Sequence, residues 1–273
     1  MTQADDAAET LARILGRFGS AAVAVSGGVD STTLAALAHR VLGGRATMMH
    51  AVSPAVPPEA TRRVRDLAAT EGWQLRILDA GEFADPRYRA NPADRCFYCK
   101  TNLYAGIAAA TRAQILSGTN RDDLSDWRPG LKAAAEHGVR HPYVEAGIDK
   151  RGVRALARQL GLGDVAELPA SPCLSSRVET GIAIDPADLA LVHAVETLRA
   201  ARLGATTTLR CRVRRAGLSL ELDPAALAAL DDGARAGIAA AIAALPGGDR
   251  PILFAPYRMG SAFLRPAVEP ADV

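Results

Sequence analysis

Cys96 and Cys99 stand three residues apart in RCFYCK, residues 95–100. A C-x-x-C pair is half of a tetrahedral thiolate site, and suits a metal, a disulfide or a sulfur atom in transit. Cys173 lies far along the chain in PASPCLSSRVETG, a segment too polar and too broken by proline to be core. Arg177, four residues on, is placed to favour its thiolate. The fourth cysteine, Cys211 in LRCRVRR, sits in a strand-like alternation and reads as a packed thiol. The histidines (His39, His50, His137, His141 and His193) are scattered without ligand spacing and are assigned to no metal.

A second chemical segment is VAVSGGVDSTTL, residues 23–34. Ser26, Gly27 and Gly28 follow an apolar run, and Ser31 and Thr32 open a helical pattern. Glycines let the backbone approach an anion, while successive N–H groups and a helix N-terminus favour negative charge. The loop has no lysine to reach a terminal phosphate, unlike G-x-x-x-x-G-K-[ST]. Asp30 is out of place beside phosphates unless Mg²⁺ sits between them. The plainer reading is a glycine turn capped by Asp30 or Ser31.

The elements that would position these residues follow from periodicity. Residues 6–18, 32–42, 58–71, about Lys100 to Arg112, and about 150–160 read as helices. Residues 21–25, 45–52, 74–80 and the AQILSG run (113–118) read as strands, with a polar loop at 81–95. Strands alternating with helices of this length indicate parallel βαβ units in a doubly wound α/β sheet. Residues 186–202 then form a long helix, 206–215 and 218–223 paired strands, 224–244 an Ala-rich helix, and 251–257 a final strand before a tail from about 260. The division expected is an α/β domain over 1–165 and a smaller α+β domain over 166–273. Arg212 and Arg214 share one face of the 206–215 strand, extended by Arg210, and such a row suits bidentate phosphate binding. A solvent-facing polar strand side is the alternative.

The bulk numbers exclude several classes. The chain has 273 residues, 49% hydrophobic and 23% charged, with 32 basic and 30 acidic side chains for a net charge of +2. That is ordinary globular composition, too balanced to argue for a nucleic-acid or membrane partner. No run of about 18 apolar residues suggests a spanning helix. MTQADDAAET does not read as a signal peptide, and four cysteines do not make a disulfide scaffold, so the cytoplasm is expected.

SGGVDS resembles the PP-loop of the ATP pyrophosphatase (adenine nucleotide alpha hydrolase-like) families, which cut ATP between its α and β phosphates. The resemblance implies ATP contacts at Ser26, Gly27, Gly28, Asp30 and Ser31, with Mg²⁺ at Asp30. Thr119 and Asn120, in SGTNRDD (117–123), match a GTN element that binds nucleotide in relatives, with Asp122 or Asp123 near Mg²⁺ or substrate; an Asx-type turn is the alternative. Ser53 is a weaker candidate near adenine or ribose. Taken in order, SGGVDS, NPADRCFYCK, GTNRDDLSDWRPG, EAGIDKRGVRALARQLGL, SPCLSSR and RCRVR resemble the LarE family over about residues 10 to 225. These are ATP-dependent sulfur transferases of nickel-pincer nucleotide cofactor synthesis for lactate racemase. The resemblance implies a pyridinium dicarboxylate mononucleotide as substrate, adenylation of its carboxylate and replacement of oxygen by sulfur. It implies Cys173 as the sulfur-handling residue, and Ser176, Arg177, Glu196, Arg212, Arg214 and Asp123 at the substrate, with Asp30 and Arg177 assisting catalysis. A homo-oligomer is also expected; the sulfide source is open.

Two sulfur strategies occur in that family. In one, the lone cysteine gives up its own sulfur and becomes dehydroalanine; in the other, it joins a C-x-x-C pair around a 4Fe-4S cluster with one open iron. This chain has all three cysteines, Cys96, Cys99 and Cys173, which favours the cluster over a zinc site or a redox pair. A tRNA thiolation enzyme, an ammonia-using synthetase and a nonenzymatic nucleotide- or zinc-binding module are the alternatives. Near-neutral charge speaks against the first, and the three cysteines are left unexplained by the second.

Overall fold

The computed structural model describes residues 3–125, 128–202 and 207–264. The chain divides into two compact units, one of Met1–Asp85 with Cys96–Ser171, the other of Pro86–Arg95 with Pro172–Val273.

In the first unit the helices are α1 (Gln3–Gly16), α2 (Val29–Leu42) and α3 (Pro58–Glu71). The short α4 (Pro86–Arg89) belongs to the other unit. Then come α5 (Arg95–Ala110), α6 (Pro129–Glu136), α7 (Pro142–Glu145), α8 (Lys150–Gln159) and α9 (Gly163–Ala166). The strands β1 (Ala21–Ala24), β2 (Ala46–Ala51), β3 (Gln74–Leu78) and β4 (Gln114–Leu116) form one sheet in the order β3-β2-β1-β4. All three pairings are parallel, with Ala21 opposite both Ala46 and Gln114. The doubly wound α/β sheet is therefore present.

The apolar runs explain it. Side chains alternate across a strand, so Ala21 and Val23 enter one core with Leu34, Leu37, Met48, Val64 and Leu156. Ala22 enters the other with Met49, Tyr104, Ile107 and Ile115. Strands covered on both faces need no polar alternation. Helix α3 starts with proline at its first turn and stops at Gly72, which is left-handed at φ 69°. That is the usual proline-in, glycine-out punctuation.

Strands β2 and β3 step away from β1 on one side and β4 joins on the other. The order reverses between β1 and β4, and ligands of open α/β sheets bind at such a point, beyond the strands' carboxyl ends. Residues 25–31 follow β1 there and residues 117–123 follow β4.

The second unit holds α10 (Pro186–Arg202), β5 (Leu209–Arg214), β6 (Gly217–Leu222), α11 (Pro224–Ala229), α12 (Asp232–Ala243) and β7 (Ile252–Pro256). Its sheet has the order β5-β6-β7, antiparallel then parallel. Helix α10 packs on β5, burying Leu189, Val192 and Val195 with Leu209, Cys211 and Val213.

Three expectations need revision. Helix α5 starts at Arg95 rather than Lys100, so Cys96 and Cys99 occupy a helical turn. Short α4 falls within the polar loop expected at 81–95, and short α6 and α7 fill a stretch to which the periodicity assigns no element. The Ala-rich 224–244 stretch is two helices, because Asp223 caps one at the Ala226 N–H (2.9 Å) and Asp231 the other at the Ala234 N–H (2.7 Å). The expected strand's Thr206 and the tail's 265–273 lie outside the described residues. Among the described residues no helix is long and apolar enough to cross a membrane.

Candidate active site

The loop after β1 is closed on itself by its two serines. The Ser26 N–H donates to Ser31 Oγ (3.0 Å), the two hydroxyl oxygens lie 3.0 Å apart, and the Gly28 N–H reaches Ser26 Oγ at 3.4 Å. Gly28 is the N-cap of α2, whose first-turn N–H groups have no acceptor within the helix. Together with the helix dipole they make an anion cradle. Gly27 is obligatory here: its φ is +83°, and a Cβ would stand 2.8 Å from the Ala60 carbonyl oxygen. Arg63 of α3 donates to that glycine's own carbonyl (2.8 Å), bringing a cation to the loop.

The turn after β4 closes onto this loop. A Cβ at Gly118 would lie 2.8 Å from the Ser31 nitrogen, so only glycine lets the two segments touch. Asn120, 2% exposed, donates from Nδ2 to Asp30 Oδ1 (3.2 Å). Its Oδ1 takes the Asp122 N–H (3.0 Å), and its own N–H goes to Asp123 Oδ2 (3.0 Å). Lys150, at the start of α8, pairs its Nζ with Asp30 Oδ2. The buried Tyr143 hydroxyl donates to the Asp30 carbonyl (3.0 Å), and burial with the Asp30 charge pushes its pKa well up. Ser26, Gly27, Gly28, Asp30, Ser31 and Asn120 are thus one constellation. Thr119 is beside it, its hydroxyl 3.0 Å from that of Ser117, which also meets His141 Nδ1 at 2.7 Å. Asp123 is tied to Arg128 (2.8 Å). Ser53 is half-buried after β2, its Oγ taking the Ala55 N–H (3.3 Å) in a local turn.

His50 anchors the β1 end. Its Nδ1 is 2.8 Å from the Val25 carbonyl oxygen and must donate; Nε2 then accepts from Thr61 (2.9 Å). Burial holds its pKa below the ordinary histidine value, and does the same for His141 against the pull of Glu145 and Asp123.

Cys96 and Cys99 are half-buried in the first turns of α5. Residues three apart share a helix face, and this end of a helix favours negative charge. Cys173 is exposed, in the second unit, directly before the short turn Leu174–Arg177. Arg177 shapes that turn. Only 3% exposed, it donates from Nη1 to the carbonyls of Pro172 (2.9 Å) and Cys173 (3.4 Å) and to Ser176 Oγ (2.8 Å). Nε and Nη2 grip both oxygens of Glu196 at 3.0 Å each. Glu196 Oε1 also takes the Cys211 N–H (3.1 Å), tying the turn to α10 and β5. Cys211 is fully buried, and desolvation raises its pKa far beyond the thiol range. Arg177 and Glu196 thus hold the Cys173 turn in place.

The arginine row on β5 is real but covered. Arg212 is 4% exposed and meets Glu221 (3.1 Å) and the Ser176 carbonyl (3.2 Å). Arg214 meets Glu179 (3.2 Å), Glu221 (3.1 Å) and the Ser261 carbonyl (2.9 Å). Arg210 is desolvated, which lowers its pKa against the opposing charge of Glu196. The row is an ionic layer with Arg212 buried and Arg210 and Arg214 half-buried, rather than a solvent-facing side. Among the described residues no three His, Cys, Asp or Glu side chains converge as around a metal ion.

Arg63, Tyr143 and Lys150 were given no role by the sequence, because their partners lie remote from them in the chain. Lys150 lies in EAGIDKRGVRALARQLGL, which carries part of the family resemblance but no site residue expected from it.

No family model matches the chain. It is 40% identical over 177 residues to an uncharacterised protein of Synechocystis sp., covering 63% of this chain and 66% of the relative. It is 35% identical over 179 residues to the pyridinium-3,5-bisthiocarboxylic acid mononucleotide synthase of Lactiplantibacillus plantarum, covering 64% of each. In both, the match spans just under two thirds of the relative's length. With the tRNA(Ile)-lysidine synthase of Methylobacterium sp. it shares 35% identity over 254 residues, 87% of this chain and 70% of that protein. These relatives and the serine-closed glycine loop at the reversal of a parallel sheet place the chain in the PP-loop superfamily of ATP-using enzymes.

Proposed function

We propose that the chain is an ATP-dependent sulfur transferase that makes a thiocarboxylate on a pyridinium-3,5-dicarboxylate mononucleotide, for the nickel-pincer cofactor of lactate racemase. The observation that carries the reading is the joining of Ser26–Ser31 to Gly118–Asp123 through Asp30 and Asn120. Support for the substrate is the name of the 35% identical relative.

ATP seats its phosphates on the loop's N–H groups and hydroxyls. Asp30, a carboxylate among anion donors, fits Mg²⁺ and would hold it, with Asp123 in reach of substrate or ion; the metal supplies charge neutralisation. A substrate carboxylate oxygen bonds to the α-phosphorus as the bond to the β-phosphate breaks, and pyrophosphate leaves with the electron pair. A sulfur nucleophile then displaces AMP from the mixed anhydride. Preorganised donors at the α-phosphate are the main catalytic device. Arg177 and Glu196 position the Cys173 turn. Arg212 and Arg214 serve the substrate phosphate in this reading by exchanging a glutamate partner for it.

The three cysteines fit an iron–sulfur cluster by donor type: Cys96 and Cys99 one helical turn apart, with Cys173 the exposed third thiol. They would hold a 4Fe-4S cluster, which supplies an iron open to sulfide. The exposure of Cys173 supports a second strategy. Its Sγ attacks the adenylate, AMP leaves, loss of the Cys173 α-proton breaks Cβ–Sγ, and the thiocarboxylate departs from dehydroalanine. A homo-oligomer in the cytoplasm belongs to the same reading.

Iron and acid-labile sulfide after anaerobic reconstitution decide between the strategies. About four irons per chain, lost in each of Cys96→Ala, Cys99→Ala and Cys173→Ala, supports the cluster. No iron, with dehydroalanine at position 173 after one turnover, supports the sacrificial route. Neither iron nor dehydroalanine, with no sulfur transferred, overturns the sulfur-transfer reading.

A further inference from the structure

We propose that Lys150 is the phosphate lysine that the Ser26–Ser31 loop lacks, held by Asp30 and released to the β- and γ-phosphates when Mg²⁺ binds that carboxylate. The inference rests on the ATP reading above.

A phosphate loop of the G-x-x-x-x-G-K-[ST] kind carries its own lysine for the terminal phosphates. This loop has Asp30 where a cation would help. The fold supplies the missing charge from α8: Lys150 Nζ pairs with Asp30 Oδ2, while the other carboxylate oxygen takes Asn120 Nδ2 at 3.2 Å.

Two features hold the base of the lysine in place. Its backbone N–H donates to Asp122 Oδ2 (3.1 Å), in the same turn as Asn120. Asp149 caps the helix at the Gly152 N–H (2.7 Å), where a Cβ would collide with Ile148 Cγ2 at 2.9 Å. The side chain itself is 36% exposed on a flexible four-carbon stem.

The charges set the exchange. Asp30 and Lys150 neutralise each other; a divalent cation at Asp30 repels the ammonium, and the nearest anion is the nucleotide's phosphate chain. When the α–β bond breaks, the electron pair goes to pyrophosphate. Lys150 stays an ammonium throughout, neutralising the leaving group without giving up a proton.

The test is the affinity of α,β-methylene-ATP, which cannot be cleaved at that bond, by calorimetry in EDTA and in Mg²⁺. Lys150→Met is expected to weaken binding roughly tenfold in both, and Lys150→Arg to restore most of the loss. Asp30→Asn frees the lysine, so it is expected to tighten binding in EDTA and to abolish the gain from Mg²⁺. Thermal melting checks the fold, and a half-exposed pair of this kind should change it little. Unchanged affinity in Lys150→Met, or weaker binding by Asp30→Asn in EDTA, overturns the inference while leaving the ATP reading standing. No binding by the wild type removes the ATP reading itself, and this inference with it.

Discussion

A methyl group at Gly118 would land 2.8 Å from the Ser31 nitrogen and 2.9 Å from the Asp30 carbonyl carbon. Backbone cannot retreat as a flexible side chain can, so Gly118→Ala must push the β4 turn off the phosphate loop. The expected cost is about 1–3 kcal/mol of stability, and loss of ATP affinity should accompany it in a titration with the wild type as control. Histidine protonation gives a second prediction. His50 and His141 both have pKa values lowered by burial, so the unfolded chain binds their protons more readily. Their stabilising effect is complete above the unfolded value of about 6.5 and is lost as pH falls from there through the lowered folded value. The urea midpoint should drop between pH 7 and 5.5, and more shallowly in His50→Gln. Of these residues the loop serines, glycines and Asp30 were legible in sequence, since their chemistry is local. The partners that occupy Arg212 and Arg214 were not: the alternation predicts a shared face but not that Glu221 and Glu179 cover it.

Elements were legible where apolar runs or long helical periods announced them. Strands β1 to β4 and helices α2, α3 and α8 fall within a few residues of expectation. Helices α6 and α7, of 8 and 4 residues, are too short to show a period, and each begins with proline. The Ala-rich stretch hid its break because alanine favours helix on both sides, leaving two aspartate caps as the signal. Those caps are worth testing. Asp231→Ala removes the acceptor of the Ala234 N–H and should cost about 1 kcal/mol, read as a shift in the urea midpoint with an unchanged slope. An unchanged midpoint would mean that packing of α12 alone sets the break.

At the scale of the molecule, a two-part chain was expected from the change in pattern near residue 166. The structure puts Pro86–Arg95 with the C-terminal part, for a reason that no local pattern carries. Asn91, left-handed at φ 53°, donates from Nδ2 to the carbonyls of Glu179 and Ile182 at 2.9 Å each and accepts from Arg95 at 2.7 Å. Tyr88 reaches Ser175, 2.6 Å away. The C-x-x-C pair therefore follows a segment fastened to the unit that holds Cys173, a connection along the chain that the cysteine spacing did not reveal. The central claim, adenylation of a carboxylate at the loop after β1, is tested most directly with a substrate labelled by ¹⁸O in its carboxylates. Mass spectrometry of the products should find the label in AMP, with pyrophosphate formed only when substrate is present. ADP as product, or AMP without label, would contradict it.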